Sequence, residues 1–235
     1  MIIEIIADSL SDAKIAEEAG ANRIELITGA LEGGLTPSYG LIESVCSSVT
    51  IPVNVMIRPH ARGFCYTDEE INIMARDIKV CKDLGASGVV LGTLTQNRQI
   101  NEDALSFLID AAKGLDVTFH RAFDEVNDQI EALKMIQKHP EVSRILTSGG
   151  KDKAIDAVEQ FQELVRHTED SSLSILAGSG LTPSNIVMFL DKVKVKEIHF
   201  GSAVRFQSSF SQSIDPLKIK EIRDFVSTKN IRYPY

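Results

Sequence analysis

Cysteine is scarce in this chain of 235 residues, and the scarcity argues against a fold that depends on disulfides. Cys46, Cys65 and Cys81 are odd in number and show no CxxC spacing. The pattern predicts a reducing compartment and no zinc site. A chain of this length buries enough of its surface to fold without disulfides or a structural metal.

Long apolar runs are also missing. No run approaches the roughly 18 residues that a membrane span needs. The first four residues, Met-Ile-Ile-Glu, carry no basic segment, so we expect no signal peptide either. The sequence therefore predicts a cytoplasmic protein.

Basic residues are outnumbered, with 25 Lys and Arg against 33 Asp and Glu, which gives a net charge of −8. Binding to phosphate backbones requires clustered Lys and Arg. We therefore expect neither nucleic acid nor an anionic membrane surface as a partner.

Short runs rich in Ile, Val and Leu alternate with longer amphipathic segments along the whole chain. Such short, β-branched runs are typical of buried parallel strands. The predicted strands are residues 2–7, 23–27, 53–57, 88–92, 116–120, 143–147, 173–177 and 195–200. Eight evenly spaced strand–helix units predict an α/β protein that forms a single (β/α)8 barrel over residues 1–235. Residues 206–215 are predicted as a loop, and a helix over about 216–227 would close the outer ring.

Capping signals mark several helix starts. Residues Thr67 to Glu70 predict a capping box, in which each side chain bonds the other's backbone N–H. The tetrapeptide Leu-Thr-Pro-Ser occurs twice. It predicts a helix N-cap at Thr36 and another at Thr182, each followed by Pro in the first turn.

Polar residues at alternate strand positions point to the barrel interior and its mouth, where barrel enzymes build their sites. The residues are Glu4, Glu25, Asn54, Arg58, Thr118, His120 and His199. Buried charges are costly unless paired, so the alternative is that Glu4 or Glu25 forms a structural ion pair with Arg58 or Arg23. We favour a ligand site, because these residues gather at the functional end. A donor such as Arg58 is then expected within hydrogen-bonding distance of Glu25.

The predicted catalytic set follows from this placement. His120 and Glu25 are candidates for acid–base work, and Arg58 is suited to hold a carboxylate or phosphate. Asp124 completes the set, because it lies just after His120 at the end of a strand. A lone histidine is often structural, and that alternative stays open for His120.

Glycine-rich loops follow the last two predicted strands. Barrels that bind phosphate place the anion at these two loops, on backbone N–H groups and a helix N-terminus. The predicted anion-binding residues are Gly178, Gly180, Gly201 and Ser202, with a helix opening near Thr182. The alternative is that both loops are simple tight turns.

Five motifs together resemble the CutC family: residues 33–38, 57–59, 64–70, 117–124 and 146–149. The resemblance runs over nearly the whole predicted barrel, and the string Thr-Phe-His-Arg-Ala-Phe-Asp is specific. It implies a TIM barrel, a cytoplasmic location, a homo-oligomer and an association with copper homeostasis. Copper as a cofactor is implied by this resemblance alone.

The chain departs from the family pattern in two places. Family members proposed to hold Cu(I) carry cysteine near the ends of the first two strands, whereas residues 4–7 and 25–28 contain none. In the loop 58–64, His60 replaces an Arg and Gly63 replaces an Asp. Because Cu(I) prefers sulfur ligands, direct binding is disfavoured and no metal site is predicted. Only Cys65, with His60 and Met56, offers a weak alternative.

Three functions remain open on the sequence. The resemblance implies a role in copper homeostasis, direct or indirect. The polar mouth favours an enzyme with lyase- or isomerase-like acid–base chemistry on a small phosphorylated or carboxylated metabolite. A barrel that only binds a ligand or partner is the third.

Overall fold

A computed structural model describes residues 1–228 of the chain as a closed barrel. Eight parallel strands pair in chain order, and β8 returns to pair with β1. The strands are β1 (Ile2–Ala7), β2 (Arg23–Leu26), β3 (Val53–Met56), β4 (Gly88–Leu91), β5 (Asp116–Phe119), β6 (Val142–Thr147), β7 (Ser174–Ala177) and β8 (Glu197–Phe200). Each predicted strand overlaps an observed one, which confirms the predicted (β/α)8 architecture.

Within residues 1–228, eight helices surround the strands. They are α1 (Leu10–Ala19), α2 (Tyr39–Cys46), α3 (Asp68–Asp83), α4 (Glu102–Ala111), α5 (Gln129–Ile136), α6 (Val158–Thr168), α7 (Ile186–Lys192) and α8 (Pro216–Thr228). Their apolar residues recur every three or four positions and face the barrel, as the buried Ile71, Met74 and Ile78 of α3 show. Full burial of such a side chain contributes about 1.5–3 kcal/mol. None of the helices within residues 1–228 has the length and apolar character that crossing a membrane would require.

The helix caps confirm one prediction and correct two. The capping box at Thr67 and Glu70 is present. The N-cap predicted at Thr36 is wrong, because α2 is capped by Ser38 and the Thr36 hydroxyl instead accepts the Arg58 backbone N–H at 2.9 Å. The N-cap predicted at Thr182 is also wrong. That hydroxyl accepts the Asn185 N–H at 3.2 Å in a turn that precedes α7.

A buried arginine fixes the segment between β8 and α8. Arg205 donates to Asp8 at 3.1 Å and to Asp12 at 2.8 Å, and its guanidinium lies 4.9 Å from the centre of the Phe210 ring. These contacts hold the segment against the start of α1, so it borders the mouth of the barrel in a defined position.

Candidate functional site

A layer of paired charges fills the barrel interior. Glu4 of β1 accepts from Arg23 of β2, and Arg23 also donates to Glu197 of β8. Arg144 of β6 donates to the same Glu197 carboxylate at 2.9 Å and also bonds Asp116 of β5. Single buried charges would be costly, but here each arginine bridges two carboxylates.

The polar residues Asn54 and Thr118 belong to this layer rather than to a binding site. Asn54 donates to Asp116 at 3.2 Å, and Thr118 accepts from Arg144 at 2.9 Å. Arg144 and Asp116 are not among the residues predicted from the sequence. The signal that could have revealed Arg144 is a charged residue in the middle of the otherwise apolar strand β6.

Above this layer lie His199 and two glutamates. His199 Nδ1 lies 2.7 Å from Glu4 Oε1, and His199 Nε2 lies 3.8 Å from Glu25 Oε2. One oxygen of Glu25 has no hydrogen-bond partner among the described residues. The expected hydrogen-bond donor to Glu25 is therefore not found, because Arg58 points elsewhere and His199 stands too far away.

Burial and neighbouring charges shift the pKa values of Glu25, Glu4 and His199 in different directions. Burial raises the pKa of Glu25 to about 7, against the opposing charge of His199. Burial also opposes ionisation of Glu4, but Arg23 and His199 outweigh it and lower the pKa of Glu4 to about 2. Burial disfavours a charged His199, yet the carboxylates of Glu25 and Glu4 prevail and raise its pKa.

A cavity of about 360 Å³ opens at the carboxyl ends of the strands. Its lining includes Glu25 and His199, together with Arg58, His120, Gly180 and Ser202. The structure thus brings together most of the predicted site residues. Whether they act on a ligand remains a prediction.

Arg58 is the unusual cation of this cavity. It is buried, at 7% exposure, yet it forms no ion pair among residues 1–228. Its Nη1 donates to the carbonyl oxygens of Glu32 at 2.8 Å and Gly34 at 3.3 Å, while its Nε has no partner. The guanidinium lies 4.6 Å from the centre of the Phe64 ring. Its positive charge is therefore held in place but not neutralised.

His120 is neutral and presents a donor. Its Nδ1 accepts the Ala122 backbone N–H at 3.2 Å, which leaves the proton on Nε2. That Nε2 is buried and has no hydrogen-bond partner in the described part of the chain. Burial and the nearby Arg58 charge lower the pKa of His120 to about 3. Gly92 directly follows β4, and because it has no Cβ, the His120 ring packs against its backbone. A Cβ at this position would lie 2.6 Å from His120 Nδ1.

The Asp124 carboxylate holds the loop after β5 against the loop after β6. Its carboxylate accepts from the backbone N–H groups of Ser148 at 3.0 Å and Gly150 at 3.2 Å, and from Arg121 Nε at 2.8 Å. The Thr147 hydroxyl also donates to it. It is not among the residues that line the cavity. The geometry gives Asp124 a positioning role rather than a place in the predicted catalytic set.

The glycine-rich loops offer a smaller anion site than predicted. The Gly178 N–H is taken by the Thr147 carbonyl at 2.9 Å, so it is not available. The N–H groups of Gly180 and Gly201 donate to no carbonyl within residues 1–228, and both glycines line the cavity. The helix α7 starts only at Ile186 and has seven residues, so it supplies no helix N-terminus near Thr182.

Comparisons with known proteins agree with this architecture. A model of the CutC family matches residues 1–204. The chain belongs to the CutC family. A CutC family protein of Pasteurella multocida is 40% identical over 202 residues, which cover 86% of this chain and 82% of that protein. The mouse relative, named copper homeostasis protein cutC homolog, is 38% identical over 214 residues, covering 88% of this chain and 78% of its own.

A solved structure extends the family match to three dimensions. CutC from Streptococcus agalactiae superimposes with a TM-score of 0.79 at 32% identity, covering 86% of this chain and 98% of its own.

The residues present do not suit Cu(I), the copper ion considered in the sequence analysis. Cys65 is exposed, Cys46 is half-buried and Cys81 is buried in α3, where burial raises the pKa of its thiol to about 12. Within residues 1–228, Glu4, Glu25 and His199 form the single cluster of His, Cys, Asp or Glu with metal-ligand spacing, each ligand atom within 4.8 Å of the others. Those are nitrogen and oxygen donors, whereas Cu(I) prefers sulfur.

Proposed function

We propose that this protein serves copper homeostasis indirectly, by binding a small anionic metabolite at the mouth of its barrel. The names of its relatives support the link to copper. The missing sulfur ligands argue against a carrier of Cu(I). A reducing, cytoplasmic setting suits three cysteines that are all free thiols.

One observation carries the proposal: Arg58 is a buried guanidinium that lines a cavity and has no carboxylate partner within residues 1–228. An uncompensated buried charge is costly, and a bound anion would remove that cost. Guanidinium groups bind carboxylates and phosphates with two parallel hydrogen bonds. The free backbone N–H groups of Gly180 and Gly201 would add further donors on the opposite side of the mouth.

Small phosphorylated and carboxylated compounds are expected to raise the melting temperature at low salt. A ligand at 100 times its Kd stabilises the folded state by about 2.7 kcal/mol, or roughly 5–10 °C for a chain of this size. Arg58→Ala should weaken carboxylate binding by about 10- to 100-fold, the range for hydrogen bonds to charged groups. Differential scanning fluorimetry over a metabolite panel is the measurement.

The matched control is Arg62→Ala, which removes an exposed cation from the same loop and should leave ligand affinity unchanged. Gly180→Val should weaken simple phosphate instead. A side chain there meets the Lys153 side chain at 2.6 Å, and the backbone has a φ of +70°. A panel that gives no shift with wild type, or equal shifts with wild type and Arg58→Ala, would contradict the proposal.

Tight one-to-one binding of Cu(I) is not expected, because no cysteine belongs to a cluster with metal-ligand spacing. Competition against a chromophoric Cu(I) chelator measures this directly. Sub-picomolar binding that disappears in Cys65→Ser would show that the exposed loop thiol is a copper ligand after all.

A further inference from the structure

We propose that Glu25 is a catalytic base that moves a proton between carbon atoms of a small carbonyl compound held by Arg58. The substrate class is a hydroxy- or oxo-compound that carries a carboxylate or phosphate. The proposal rests on the proposed function, because it uses the same cavity and the same anionic ligand.

Glu25 has the position that a base requires. It is 2% exposed, its side chain lines the cavity, and one of its oxygens has no hydrogen-bond partner among the described residues. The apolar side chains of Ile27 and Met56 line the same cavity. A buried carboxyl oxygen without a donor is costly, and no group within residues 1–228 donates a hydrogen bond to this one. The base of an enzyme, by contrast, needs a free oxygen aimed at its substrate.

His199 positions Glu25 and supplies a compensating charge. Its Nδ1 is held by Glu4 at 2.7 Å, and Glu4 is itself fixed by Arg23. The other nitrogen, Nε2, is thereby aimed at Glu25, 3.8 Å away. A carboxylate that orients an imidazole, which in turn faces a reactive group, is a recurring catalytic arrangement.

Charge in the barrel interior is balanced only by protons. The four carboxylates are Glu4, Glu25, Asp116 and Glu197, whereas the arginines that pair with them are Arg23 and Arg144. The excess of two negative charges is matched when His199 and Glu25 each hold a proton. The pKa of about 7 that burial gives Glu25 lets this group exchange its proton near neutral pH.

His120 is the donor that such a reaction needs on the oxygen side. The His120 side chain lines the same cavity, and its neutral Nε2–H has no hydrogen-bond acceptor among the residues that the structure describes. A donor of this kind stabilises the negative charge that develops on a carbonyl oxygen. A neutral imidazole is well suited to the task, because it does not lose its proton to the enolate.

The chemistry balances without a further reactant. The C–H bond next to the carbonyl breaks, and its proton passes to a Glu25 oxygen. The electron pair forms the C=C bond of an enolate, whose oxygen accepts from His120 Nε2–H. Glu25 then returns the proton to the same carbon, where delivery to the opposite face inverts its configuration. With a hydroxy-carbonyl substrate it returns the proton to the former carbonyl carbon instead, while the hydroxyl proton passes to the enolate oxygen and a new carbonyl forms at the neighbouring carbon. The product is an isomer of the substrate, so neither an oxidant nor a reductant is consumed.

Proton exchange with solvent tests this step. Wild-type protein is incubated in D₂O with small 2-oxo carboxylates and with triose to pentose phosphates, and ¹H NMR follows loss of the C–H signal beside the carbonyl. We expect exchange with at least one compound that also shifts the melt. Glu25→Gln should slow it by about 10²–10⁴-fold while the variant still binds that compound. His120→Asn should slow exchange by about 10²–10³-fold.

The positioning role of His199 has its own readout. His199→Gln removes a cation that lowers the pKa of Glu25, so the inflection of the pH–rate profile should move to higher pH. A variant that only loses rate, with the inflection unchanged, would overturn that role.

The outcomes separate the two proposals. Compounds that shift the melt but exchange no proton overturn catalysis by Glu25 and leave anion binding standing. No shift and no exchange overturn both. Exchange that survives EDTA supports Glu25 as the base. Exchange abolished by EDTA overturns it and assigns Glu25 and His199 to a bound metal.

Discussion

Replacing Arg23 with methionine is expected to destabilise the protein by about 3–5 kcal/mol at neutral pH, the usual cost of removing one partner from a buried ion pair. Arg23 is 5% exposed and bridges Glu4 and Glu197. Without it, both carboxylates lose a charge partner while their side chains are only 1% and 9% exposed. Urea unfolding followed by circular dichroism gives the free energy.

The double variant Arg23→Met with Glu4→Gln tests the cause of this loss. It removes one of the stranded carboxylates, so part of the stability should return. Arg166→Met is the matched control on the exposed face of α6 and should change stability by about 0.5 kcal/mol or less. A cost below about 1 kcal/mol for Arg23→Met would show that the interior is hydrated and the charges are screened.

Glu25→Gln is expected to remove most of the pH dependence of stability between pH 4.5 and 7. Over this range the wild-type protein is expected to become less stable toward unfolding. The ordinary pKa of this carboxyl is 4.5, and burial raises it to about 7 in the folded protein. The unfolded state therefore releases the proton first, so ionisation favours unfolding throughout this window. At 1.36 kcal/mol per pKa unit, the loss amounts to about 3 kcal/mol and is complete above pH 7.

Unfolding in urea at pH 4.5 and pH 8 checks this, with Glu43→Gln on the surface of α2 as the control. The contribution of His199 has the same direction. Its raised pKa stabilises the fold fully below 6.5, and that stability is lost as the pH rises through the higher folded value. The free energies of unfolding of wild type and Glu25→Gln must therefore diverge mainly below pH 7. Parallel profiles for the two proteins would contradict a buried, neutral Glu25.

The strand order and the inward-facing residues of the strands can be predicted from the sequence, because both follow from local patterns. Alternation places Glu4, Glu25 and His199 on the inner side of their strands, and the structure has them there. The ion pairs inside the barrel do not follow from local sequence patterns. Arg144 reaches Glu197 across the intervening strand β7, a contact set by the closure of the whole barrel.

The failed predictions at the mouth have a related cause. Arg58 was expected beside Glu25, yet it turns toward the carbonyls of the loop after β2. Its direction depends on the conformation of Gly33 and Gly34, whose positive φ angles of 84° and 89° shape that loop. Gly178 was expected to offer its N–H to an anion, but β6 takes it. Backbone bonds between neighbouring loops cannot be deduced from either loop alone.

The Asp124 carboxylate has a consequence for how this barrel can be altered. It accepts hydrogen bonds from Arg121 on its own loop, after β5, and from Ser148 and Gly150 on the loop after β6. One carboxylate therefore holds the two loops together. Insertions or grafts in either loop must keep both sets of donors in register, so these two loops have to be redesigned as a pair. The loop after β2 is anchored differently, by Arg58 donating to the carbonyls of Glu32 and Gly34, so a change of length beside the exposed Leu31 must keep both carbonyls in place. New specificity is therefore most readily introduced by side-chain replacements at exposed positions of these loops, with the loop lengths kept.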